Sequence, residues 1–94
     1  MNDDVMIWFT PMSRHRNKNG HVKTVSYSTN IPLDVDYIIA RKYIDYFAKH
    51  SLKNAAVQSI TDDISGDRYC FTVSNFKSEI EIEEVNIPIT DIEI

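Results

Sequence analysis

Stretches in which apolar and polar residues alternate fill most of this chain, and the breaks between them mark where elements end. Val5-Met6-Ile7-Trp8-Phe9 is a continuous apolar run closed by Thr10-Pro11, the pattern of a strand buried on both faces. Residues 13–20 are polar and basic and finish in Asn19-Gly20, a pair suited to the positive φ of a tight turn. Residues 22–27 resume as a strand, with Val25 and Tyr27 on one face and Thr24 and Ser26 on the other. A β-hairpin with a basic connection follows.

Asn30-Ile31-Pro32 ends that strand, and the period then changes from 2 to 3.6. Val35, Ile38, Ile39, Tyr43, Tyr46 and Phe47 form a stripe at helical spacing, which predicts a helix over residues 34–51. Asp34 is the expected N-cap and Asp36 the first-turn acid. Arg41, Asp45 and Lys49 make an i, i+4 ladder on another face. Tyr43 and Phe47 are expected to face the sheet, while Tyr37, Ala40, Ile44 and Ala48 form a flanking stripe.

Residues 57–61 read as a strand and residues 62–67 as turn chemistry. Tyr69, Phe71 and Val73 then alternate with Arg68, Cys70 and Thr72, a half-buried strand. Residues 79–89 read as the last long strand. Ile80 and Ile82 point inward, Glu79, Glu81 and Glu83 outward, and the pair Glu83-Glu84 shifts the phase as a β-bulge would. Pro88 marks an edge. The tail alternates still, leaving Ile92 and Ile94 as exposed apolar residues. The predicted architecture is α+β: one small domain over residues 1–94, an antiparallel sheet with one helix packed on it, in the order ββαβββ.

Composition sharpens this. Thirteen Ile against two Leu favour a β-rich core, and fit an AT-rich gene such as that of a phage or mobile element. The single cysteine, Cys70, precludes an intrachain disulfide and fits a reducing compartment. The opening MNDDVMIWF begins with acids where a secretory signal needs a basic start, and no apolar run approaches the roughly 20 residues of a membrane helix. A cytoplasmic protein with no membrane association is expected.

Charge is the strongest functional signal. Residues 11–24 hold Arg14, Arg16, Lys18 and Lys23 with no acid, whereas residues 62–94 hold nine acids against Arg68 and Lys77. Separated charge points to partners. If residues 79–84 are extended, Glu79, Glu81 and Glu83 stand about 6.7 Å apart on one face, and Glu84, Asp91 and Glu93 widen the patch. Duplex DNA carries a charge every ~1.7 Å, so one such strand is about four times too sparse to imitate it. Acids on an edge strand also serve simply to prevent aggregation. The basic connection, with Arg14, His15, Arg16, Lys18 and Lys23, is the alternative site, able to straddle a phosphate backbone, with Trp8 or Tyr27 available for base stacking. The pI near 5.2 counts against it.

Catalytic readings rank lower. His15 and His21 beside cations resemble a ribonuclease toxin in residue type alone, and Cys70 sits mid-strand, where a small buried residue is expected. Residues 62–67 miss the ligand spacing of a calcium loop, and Gly20 and Gly66 supply no phosphate-binding loop. No metal and no cofactor are expected. The sequence points to a non-catalytic inhibitor or regulator that presents an acidic β-surface to a basic site on a protein partner, with nucleic-acid binding second and a small ribonuclease third. A homodimer is also expected.

Overall fold

The computed structural model describes residues 5–92. Strands β1 (Met6–Arg16) and β2 (Val22–Pro32) form the hairpin, helix α1 (Tyr37–His50) follows, and β3 (Ala56–Asp62), β4 (Arg68–Ser74) and β5 (Val85–Pro88) complete the chain order ββαβββ. The five strands make one antiparallel sheet in the spatial order β3-β4-β2-β1-β5. Because β4 lies between β2 and β3, the helix carries the chain across it. Tyr69 Oη donates to the Val35 carbonyl at 2.8 Å and pins the start of that crossing to the sheet.

Burying aromatic area is what holds helix to sheet. Phe9, Tyr27, Phe47 and Phe71 are essentially inaccessible. The Phe9 and Phe47 rings stack at 4.2 Å, and Phe71 meets both edge-on at about 6 Å. Tyr43 and Phe47 therefore face the sheet as predicted. Val35 and Tyr46 pack partly buried against the same core, but Ile38 and Ile39 do not. Ala40, Ile44 and Ala48 lie in the core, whereas Ile38 is 66% exposed and Ile39 37%. Ile38 is nine residues from Phe47, about two and a half turns, and so points the opposite way. Asp36, and not Asp34, is the N-cap: its Oδ1 accepts from the Ile38 N–H at 2.8 Å.

Further differences follow from local polar chemistry. β2 runs through Asn30 and Ile31 to Pro32, since Asn30 Oδ1 accepts the Trp8 N–H at 3.1 Å and Asn30 Nδ2 donates to the Met6 carbonyl at 2.9 Å. The expected strand over residues 79–89 is two elements. Glu79–Ile82 is a 3-10 turn, capped by Ser78 Oγ accepting from the Ile80 N–H, and only Val85–Pro88 is extended. Ile80 is accordingly 75% exposed and Glu81 buried, the reverse of the alternation at those two positions, whereas Ile82 is buried and Glu79 and Glu83 exposed as expected. Irregular register falls elsewhere, within residues 11–13 of β1, at the outer end of the hairpin and within residues 57–59 of β3. Pro88 does sit on an edge strand, opposite Met6. Ile92 is buried in its own core at 5% exposure, which removes one support for a homodimer; Glu93 and Ile94 lie outside the described residues. No described helix is long and apolar enough to cross a membrane.

Candidate functional site

The hairpin outgrows the sheet. β4 accompanies β2 only as far as Thr24, opposite Ser74, and β5 accompanies β1 only as far as Phe9, opposite Val85. Beyond His15 and Thr24 the hairpin continues as a two-stranded arm, and residues 12–21 are all exposed. Its tip is closed by Asn17. The Asn17 N–H donates to the His21 carbonyl at 2.9 Å, the Gly20 N–H donates to the Asn17 carbonyl at 3.0 Å, and Asn17 Oδ1 accepts from the N–H groups of Asn19 and His21. Gly20 alone takes the positive φ, +82°, that the turn requires. An eleven-residue strand spans about 36 Å, so the arm sets the long axis of a molecule measuring 48 × 25 × 19 Å.

Register fixes where the cations point. Arg14 pairs with Val25, a core residue, so it projects on the helix side; His15 pairs with Thr24 and projects on the opposite, open side. Lys18 occupies the tip and Lys23 the outer end of β2. Arg16 is engaged already: its Nη1 donates to Glu79 Oε1 at 2.6 Å and to the Gly20 carbonyl at 2.9 Å. That hydrogen bond, with the attraction between the charges, raises the Arg16 pKa and lowers that of Glu79. Arg14, Lys18 and Lys23 have no carboxylate within ion-pair distance among the described residues.

The acidic row predicted at Glu79, Glu81, Glu83 and Glu84 does not assemble, because a 3-10 turn places side chains about 120° apart instead of on one face. Glu79 turns to Arg16. Glu81 is buried beneath Lys53, whose Nζ lies 3.1 Å from its Oε1, while its Oε2 accepts the Lys77 N–H at 3.3 Å. Glu84 reaches the open face and accepts from Thr10 Oγ1 at 2.8 Å. Glu83 and Asp91 remain exposed, and Glu93 is outside the described residues. A different acidic grouping forms instead. Strand directions bring Asp34, Asp36, Asp62, Asp63, Asp67 and Asp91 toward the end opposite the arm tip. Arg68 at that end is tied to Asp63 and Asp67, both at 3.2 Å. The molecule is thus polarised along its length, basic at the arm and acidic at the far end.

The face of the sheet away from α1 is uncovered. Trp8, Thr10, Ser28, Glu84 and Asn86 line a depression of about 380 Å³ there, and Met12, Ser26, Thr61, Asp62, Asp63, Ile64, Cys70 and Thr72 belong to a second of about 470 Å³. The Arg68 guanidinium carbon stands 5.6 Å from the Trp8 ring centroid. Cys70 is buried in β4, and that burial raises its thiol pKa. Tyr27, the other aromatic considered for stacking, is fully buried. Ser28, Arg68 and Asn86 were not singled out from sequence; the signal they carried was their place between core residues on alternating strands. Comparison of the chain with protein families, with characterised proteins and with solved structures finds no match.

Proposed function

We propose that this domain is a non-catalytic nucleic-acid-binding module that grips the phosphate backbone with its β1–β2 arm. The observation that carries the reading is the exposed end of the hairpin, with Arg14 on the β1 edge and Lys18 and Lys23 at the arm, all without an ion-pair partner among the described residues, at one end of a 48 Å body. A net charge of −4 argued against such a role while the position of the charges was unknown. Screening supports the reading: the Debye length is about 8 Å at physiological salt, so the aspartates at the far end contribute little repulsion at the arm. A two-stranded ribbon also suits a groove or a single backbone. The imidazoles and the thiol support binding over chemistry, since His15, His21, His50 and Cys70 sit on the arm's open side, the tip, the helix end and mid-β4 respectively. A lone reduced thiol such as Cys70 fits action in the cytoplasm.

Fluorescence anisotropy of a labelled oligonucleotide at low salt tests this. Wild type binds, Arg14→Ala/Lys18→Ala/Lys23→Ala does not, and Asp62→Asn/Asp91→Asn binds as wild type. Absence of wild-type binding would overturn it. The second reading, an inhibitor or regulator docked on a basic protein surface, is favoured by the acids gathered at the far end. It requires the opposite result: a captured partner lost with Asp62→Asn/Asp91→Asn and retained by the arm variant.

A further inference from the structure

We infer that the depression beside Trp8 seats an unpaired base, so that the nucleic acid held by the arm is single-stranded; this rests on the arm reading above. The floor is an indole on an open sheet face, and its surroundings are polar and specific. Asn86 is the cross-strand neighbour of Trp8 on β5, and Ser28 is that of Thr10 on β2. Thr10 Oγ1 donates to Glu84 Oε2, which orients the carboxylate and leaves Glu84 Oε1 as an acceptor. An amide, a carboxylate and two hydroxyls around an aromatic surface are the groups that hydrogen-bond a base edge while the ring stacks. The site is also held in place. Asn30 clamps the Trp8 N–H from the adjacent strand, and Arg68, itself fixed by Asp63 and Asp67, lies against the ring.

A base inside a duplex offers neither its faces nor its pairing edge, so only an unpaired one fits. The path to the arm is continuous. From Trp8, β1 runs seven residues to His15, about 23 Å, and the open-face neighbours between them are the hydroxyls of Thr10, Ser13, Thr24, Ser26 and Ser28 with the exposed Met12 among them. Glu84 borders the depression, and Asp62 and Asp63 share the neighbouring one with Met12 and Ser26, so the path keeps to β1 and β2 and ends at His15, next to the tip that carries Lys18. A strand with its base on Trp8 has its backbone led toward His15 and the Lys18 tip, with Arg14 on the opposite face of β1.

Trp8 is the sole tryptophan, so its emission reports the site directly. Oligo(dT) and oligo(U) of about 12 nucleotides and a duplex of equal length are titrated into wild type at low salt. Both single strands should quench Trp8 and the duplex should not. By anisotropy, Trp8→Phe and Asn86→Ala, each with an unchanged thermal midpoint, should weaken single-strand binding several-fold, and Trp8→Ala about tenfold. Unchanged Trp8 emission when the arm is saturated, or equal affinity for duplex, would overturn the inference. The arm reading would then still stand if binding depended on Arg14, Lys18 and Lys23. Failure of every nucleic acid to bind would remove both.

Discussion

Glu79 and Glu81 stand two residues apart and do opposite jobs. Glu79 is an exposed partner of Arg16, and exposed pairs contribute little to stability. Its consequence is for binding, because it withholds one cation from the arm. Glu79→Gln should therefore tighten nucleic-acid binding and steepen its salt dependence by about 0.7–0.9 in log–log slope; an acidic docking surface requires a loss instead, so one titration separates the two. Glu81 is structural. Burial pushes its carboxyl up, but the ion pair with Lys53, the Lys77 N–H and the charge of Lys77 outweigh this and leave its pKa lowered. A group with a depressed folded pKa stabilises above its unfolded value and loses that contribution as pH falls through the folded one. Thermal midpoints of wild type and Glu81→Gln should thus differ most near neutrality and converge below about pH 4.3. A constant gap across that range would show that the carboxylate is not stabilised by its neighbours.

At the level of elements, the helix and the hairpin were readable because many residues repeat one message. Phe9, Tyr27, Tyr43, Phe47 and Phe71 all announced a buried face. The helix phase was harder, since α1 carries two overlapping apolar stripes and only packing decides between them. Phe47→Ala should lower unfolding free energy by about 3–5 kcal/mol, whereas Ile38→Ser should change it by no more than about 0.5 kcal/mol, both read from denaturant midpoints. A large loss at Ile38 would contradict the observed phase. Residues 79–82 were misread for a physical reason. Glu-Ile-Glu-Ile alternates as a strand does, but four residues also make one 3-10 turn, and the Ser78 cap together with the Lys53 charge selects the turn. The sequence contains each of those groups without showing that they meet.

Across the whole molecule, the basic segment was legible in one dimension and its use was not. Arg14, Arg16, Lys18 and Lys23 stand out on reading the chain, yet only register shows that β4 and β5 stop short and leave an arm. Composition gave the net charge; the strand directions gather six aspartates at the end far from the arm, and Glu79 is the one acid among the described residues paired with an arm cation. The open-face depression was less legible still, being assembled from three strands distant in sequence, although Trp8 was the natural suspect. The most direct test of the account is the slope of log affinity against log salt for a single-stranded oligonucleotide. Three free cations predict about −2 for wild type, at roughly 0.7 per neutralised phosphate, and a value near zero for Arg14→Ala/Lys18→Ala/Lys23→Ala. A wild-type slope near zero, or an unchanged slope in the triple variant, would contradict it.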